Sequence, residues 1–169
     1  MNYPQYCCAI LLLNQQTPVT VIGCIEPKQT QQGSTEKDKE LLVSGSNKSS
    51  HFLMQLRPEW SHHAPNKLVC FGGKREDNEL PETCIRRELQ EELSWSPEDL
   101  TLAVQLWVGS CLKAWFYVGY MDVDTTELQT EPGFEAHAIS MNSLDIHPVS
   151  DWHRDVLHAY LRGEKLVQL

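Results

Sequence analysis

Five charged side chains, Glu79, Arg87, Glu88, Glu91 and Glu92, stand at intervals that can do chemistry together. On a helix of about 3.6 residues per turn, positions three and four apart share a face, so Glu88, Glu91 and Glu92 are expected to project together. Ile85, Leu89 and Leu93 recur every four residues beside them, so the same helix buries one side and carries carboxylates along the edge of a cleft. Like charges this close repel unless a counter-ion sits among them, and oxygen ligands suit a hard divalent cation. Mg²⁺ is the first expectation and Mn²⁺ the second. Mg²⁺ is usually held by one or two carboxylates together with substrate phosphates, so the expected partner is a phosphorylated small molecule, with the ion neutralising phosphate oxygens and activating water.

An acidic cluster on an amphipathic helix is ordinarily a solvated face, and Glu-x-x-Glu-Glu by itself says no more. Its flanks change that reading. Leu68-Val69-Cys70-Phe71 is an apolar run closed by Gly72-Gly73, a pair that lets backbone approach a ligand or metal closely. Arg87 adjoins the carboxylates and can orient one of them or clamp a phosphate.

The stretch from Gly73 to Trp95 resembles the signature box of the Nudix hydrolases, Gly-x5-Glu-x7-Arg-Glu-U-x-Glu-Glu-x-Gly-U, where U is a bulky apolar residue. Gly73, Glu79, Arg87, Glu88, Leu89, Glu91 and Glu92 match it, Trp95 fills the last apolar position, and Ser94 replaces the final glycine. Glycine there would ease a left-handed turn, so the departure bears on backbone shape more than on metal chemistry. The resemblance implies an α/β protein, a Nudix-type α/β/α sandwich with a mixed β-sheet. It implies Glu88, Glu91 and Glu92 as metal ligands, with the Gly73 carbonyl completing the shell. Arg87 would hold a glutamate in place and Glu79 would support. The implied reaction is attack of water on a phosphorus of a nucleoside diphosphate derivative. Either Glu88 or a downstream glutamate would be the general base, Glu135 first and Glu131 second. A Nudix-like module that binds and senses a nucleotide without cleaving it is the alternative, and it would be favoured by loss of a box carboxylate.

The 169 residues suit a single domain over 1–169, with 41% hydrophobic and 22% charged residues as in ordinary globular proteins. A net charge of -9 argues against capture of long nucleic acid or of an anionic membrane, which need a cationic surface. The six cysteines show no zinc spacing, and four lie in apolar runs, as expected of reduced, buried thiols in a cytoplasmic protein. The apolar run 7–13 is not preceded by Lys or Arg and is too short to span a membrane, so neither a signal peptide nor a transmembrane segment is expected.

The positioning elements follow from periodicity. Residues 7–13 and 17–25 read as a β-hairpin, and 26–50 as a polar insertion loop with a short strand near 40–44. A strand over 52–57 ends at Arg57, either a phosphate or base contact or an exposed strand-end arginine. Trp60 can stack on a nucleobase or pack. His62 and His63, adjacent on an extended segment, point apart and make a poor metal pair. Pro81 suits the first turn of the box helix and Leu80 is a poor cap. Leu102, Val104, Leu106 and Val108 alternate along one strand, and Leu112, Ala114, Phe116 and Val118 along the next, with Gly109-Ser110 between them. An acidic loop over 122–135 precedes a strand at 136–140. Ser150 can cap a last helix, with Trp152, Val156, Leu157, Tyr160 and Leu161 packing and Gly163 at its end. Outside the box nothing singles out a substrate. Nucleoside triphosphates, nucleotide sugars and dinucleoside polyphosphates stay open, as does homodimerisation, while the absence of proline between Leu100 and Gly119 weakens ADP-ribose by resemblance.

Overall fold

The computed structural model describes residues 3–13, 51–121 and 123–169. Strand β1 (Tyr6–Leu13) is the hub of the sheet. It is apolar along nearly its whole length because both of its faces are covered, which removes the alternation of a half-exposed strand. One edge runs parallel to β6 (Cys111–Met121), from Tyr6 opposite Ala114 to Leu13 opposite Met121. The other edge is shared antiparallel by β4 (Phe71–Lys74) and β2 (His51–Leu56). Both edges of β1 are thus taken. The partner expected for it at 17–25, the insertion at 26–50 with its strand near 40–44, and Cys24 lie outside the described residues.

Beyond this centre, β3 (Leu68–Val69) and β7 (Glu135–Ser140) pair antiparallel with β2, and β5 (Thr101–Val108) forms the expected hairpin with β6. Gly109 turns that hairpin with φ +56°. The alternation expected in β5 holds only in part. A register shift between Leu102 and Val104 sends Leu102 to the opposite face from Val104 and Leu106. A final strand, β8 (Leu166–Gln168), lies parallel to β5; three residues are too few to carry a periodic signal. The sheet is therefore mixed.

Helix α1 (Pro81–Leu93) covers one face, packing Cys84, Ile85, Leu89 and Leu93 on Cys7, Leu11, Leu53 and Phe71. Helix α2 (Asp151–Leu161) covers the other, with Val156 and Leu157 against Ile10, Phe52, Met54, Val104 and Phe116. This is the α/β/α sandwich. Three expectations for α2 need correction, the first being Leu161, which at the last turn is 43% exposed rather than packed. Ser150 occupies the N-cap, but its side chain makes no capping hydrogen bond. Trp152 is 43% exposed, because the buried stripe runs through Val156, Leu157 and Ala159 and leaves the first turn outside it. Cys7, Cys8, Cys70 and Cys84 are buried free thiols, and Cys111 is half-buried. Among the described residues no helix is long and apolar enough to cross a membrane.

Both ends of α1 explain themselves locally. Pro81 opens the helix with its φ already set, and Leu80, extended at the N-cap, contributes only its carbonyl to the Cys84 N–H at 2.9 Å. At the other end Ser94 is left-handed (φ 52°, ψ 25°), and its N–H donates to Gln90 O at 3.0 Å. The backbone thus keeps the turn that glycine would take freely, at a cost for a residue with a Cβ. Ser94→Gly is expected to stabilise by about 0.5–1 kcal/mol, part of the gain being offset by the freer unfolded chain. Thermal melts would read this as a rise of roughly 1–4 °C with turnover within about twofold, and a fall would contradict it.

Candidate active site

The site is assembled where β4 runs into the loop before α1. Gly72 lies opposite Cys8 of β1 at φ +130°, and a Cβ there would overlap Cys7 O and stand 2.7 Å from Cys8 Cα. Gly73 is as tightly placed, for its missing Cβ leaves the space filled by the Glu88 carboxylate. This glycine pair lets the strand pass flat beneath the helix carboxylates.

Arg87 organises the rim. Its Nε and Nη2 donate to the two oxygens of Glu79 at 2.9 and 3.1 Å, and Nη1 donates to Glu88 at 2.8 Å and Glu91 at 3.2 Å. Nη2 also reaches Lys74 O at 3.3 Å. The fork-to-fork pair holds Glu79 down to a pKa of about 2, helped by the Glu76 N–H. Burial pushes the Glu88 carboxyl up, against the pull of Arg87. Arg87 thus ties the loop to the helix.

Glu92 faces inward instead. It is 8% exposed, its Oε2 accepts from the Gly72 N–H at 2.7 Å, and its Oε1 accepts from Gln55 Nε2 at 3.1 Å. Desolvation lifts its pKa to about 7 despite those two donors, and the charges of Glu88 and Glu131 add to the rise. A carboxyl poised near neutral pH can take and return a proton.

The three glutamates expected on one face are therefore divided. Arg87 draws Glu88 and Glu91 toward itself, with the Glu91 side chain 55% exposed, while Glu92 turns toward β2 and β4. As they stand, no three His, Cys, Asp or Glu side chains among the described residues surround one point able to hold an ion. Gly73 lies directly beside the Glu88 carboxylate.

Glu135 is not brought to this group. It sits opposite Leu56 in the β7–β2 ladder, and directly opposed residues share a face. Leu56 packs with the α2-side core, whereas Gln55, one residue away, points to α1 and Glu92. The pleat thus sends Glu135 to the α2 side, where its Oε2 meets Nε2 of the buried His137 at 3.0 Å. Glu131, earlier in the same loop, is the glutamate whose charge reaches Glu92.

Arg57 and Trp60 come together around a residue that sequence reasoning missed, Phe134. The Arg57 guanidinium lies 5.4 Å from the Phe134 ring centroid, Trp60 meets the ring edge-on at 5.7 Å, and Arg57 Nε donates to Ser61 Oγ at 3.0 Å. Trp60 is 68% exposed, so packing does not account for it. His62 and His63 are both exposed. Gln55 was missed as well, although it left a signal: a lone amide in the otherwise apolar stretch Phe52-Leu53-Met54-Gln55-Leu56, in phase with Leu53 on the α1 side.

Comparison with known proteins bears on the family and the fold. A NUDIX domain model matches residues 40–160. The 8-oxo-dGTP diphosphatase of Escherichia coli (strain K12) is 30% identical over 93 residues, which make up 53% of this chain and 72% of that protein. Among solved structures, the MutT protein from Methanosarcina mazei Go1 superposes with a TM-score of 0.61 at 17% identity, covering 95% of this chain and 94% of that one. The NUDIX domain of Shewanella oneidensis NrtR, solved with ADP ribose, gives 0.58 at 12% identity over 96% and 88%. At such identities the solved structures bear on the fold alone. The domain match spans the box and most of the chain, from before β2 to near the end of α2, and on that ground the chain belongs to the Nudix hydrolase family.

Proposed function

We propose that this protein is a Mg²⁺-dependent hydrolase of the pyrophosphate link in a nucleoside diphosphate derivative. The observation that carries the reading is Glu92, a buried carboxylate clamped by the Gly72 N–H and Gln55 on the same helix as Glu88 and Glu91. The donor types suit a hard cation: carboxylate oxygens of Glu88, Glu91 and Glu92, and the carbonyl of Gly73, whose missing Cβ gives its space to the Glu88 carboxylate. Bound there, Mg²⁺ would supply charge neutralisation for phosphate oxygens and a more acidic water. Arg87 keeps Glu88 and Glu79 in fixed orientations, and the Gly72 N–H and Gln55 fix Glu92. Glu88 or a downstream glutamate would take the proton removed from the attacking water, and Glu131 is the downstream glutamate whose charge reaches Glu92.

Arg57 and Trp60, braced on Phe134, offer a cation and an exposed indole to a nucleobase or phosphate. The relative named an 8-oxo-dGTP diphosphatase acts on a nucleoside diphosphate derivative, which supports the substrate class without choosing within it. Sensing without cleavage would be favoured by a missing box carboxylate, and Glu88, Glu91 and Glu92 are all present.

The test is incubation with Mg²⁺ and nucleoside triphosphates (oxidised ones included), nucleotide sugars, ADP-ribose and dinucleoside polyphosphates, with released phosphate or nucleotide followed by chromatography. Turnover of one class is expected. On that substrate Glu131→Gln should lower kcat roughly tenfold or more and Glu135→Gln should leave it within about twofold. The reverse order would restore Glu135 to the site. No turnover, with one compound still raising the melting temperature, would make the protein a sensor.

A further inference from the structure

Buried polar atoms are almost always paired, so an exception beside a reactive group calls for a ligand. Gln55 is 1% exposed, and its amide orientation is set by its neighbour: facing the Glu92 carboxylate, an acceptor, it must present Nε2, which donates at 3.1 Å. Oε1 of the same amide is buried and, among the described residues, has no hydrogen-bond partner. Ser96 Oγ, Trp115 Nε1 and Arg154 Nε share that condition, but only Gln55 is bonded to a box carboxylate. Leaving such an oxygen unmet costs about 1–3 kcal/mol, and an apolar residue in phase with Leu53 would avoid that cost. A carbonyl oxygen held next to Glu92 is, however, a suitable hard donor for a divalent cation or for the water such an ion carries.

We infer that Gln55 belongs to the cation site: Nε2 fixes Glu92 while Oε1 supplies an additional neutral oxygen to the bound divalent ion, directly or through one of its waters. The inference rests on the metal-dependent reading above and adds a residue from β2, outside the signature box. Gln55 is in this sense a positioning residue with a second, ion-facing atom.

The experiment measures Mn²⁺ binding alone, by loss of the free Mn²⁺ paramagnetic resonance signal, in the wild type, Glu92→Gln, Gln55→Met and Gln55→Glu. Gln55→Met keeps the length and loses the oxygen, and should weaken Mn²⁺ roughly tenfold. Gln55→Glu keeps an oxygen and loses the N–H donor, and should bind at least as tightly as the wild type. Equal affinity of Gln55→Met and wild type overturns the inference. So does equal weakening in both Gln55 variants, which would mean that the N–H tether alone matters. If Gln55→Met does not fold, Gln55→Glu decides by itself: wild-type or tighter binding supports an ion-facing oxygen, weaker binding rejects it. A wild type that binds no Mn²⁺ overturns the metal reading and this inference together, whereas failure confined to the Gln55 variants leaves that reading standing.

Discussion

Glu92→Gln is expected to lower kcat on the order of 10²-fold or more, because it removes a charged oxygen donor from the proposed cation site, and to change how stability depends on pH. The second effect follows from burial. In the protein without added metal, the Glu92 pKa is lifted from 4.5 to about 7, so folding favours its protonated form. The stability this contributes is fully present below pH 4.5 and is lost as pH rises through 7, amounting to about 3 kcal/mol over the window. The groups facing it are Gln55, the Gly72 N–H, Glu88, Glu131 and Cys8, and because burial pushes the Cys8 thiol well up, only the two glutamates titrate in this range. His153, buried and held to about 4, works in the opposite sense: its contribution is present above 6.5 and lost as pH falls toward 4. Because His153 is common to both proteins, the difference between wild type and Glu92→Gln isolates the carboxyl. Melts in chelator from pH 4.5 to 8 should show the wild type losing roughly 6–12 °C relative to the variant. Parallel curves would mean that Glu92 is not strained by burial, and full turnover by the variant would remove it from the chemistry.

Gly72→Ala should be the most damaging single methyl in the described structure. The added Cβ would overlap Cys7 O and crowd Cys8 Cα, both backbone atoms of the central strand, and φ +130° is a conformation that side chains rarely adopt. Neither obstacle yields to a rotamer change. Steric overlap and backbone strain together should cost about 3 kcal/mol or more, read as a fall of roughly 10 °C in a thermal melt. The same shift would carry the Gly72 N–H away from Glu92 Oε2, so activity should drop more than the unfolded fraction explains. A variant melting within about 2 °C of the wild type would show that β4 can slide on β1 and that the close approach is unnecessary.

Local pattern by itself determined the chemistry-bearing unit. The intervals from Gly73 to Glu92 place the carboxylates, the four-residue recurrence of Ile85, Leu89 and Leu93 specifies the buried side of α1, and the alternation on either side of Gly109 specifies the β5–β6 hairpin. Each depends on residues close in the chain, where periodicity and turn chemistry act directly. Ser94 was legible for the same reason, since a helix end needs a left-handed residue there whatever follows.

Long-range pairing decided the rest. That β1 lies between β6 on one edge and β4 with β2 on the other depends on ladders between segments far apart in sequence, which an apolar run cannot announce. One step of pleat separates Gln55, which reaches Glu92, from Leu56, whose partner Glu135 is carried to the opposite face. Composition cannot see that step, because register belongs to two strands at once. The pKa of Glu92 is likewise a tertiary property: the desolvation that lifts it requires β2, β4 and α1 to close around one side chain.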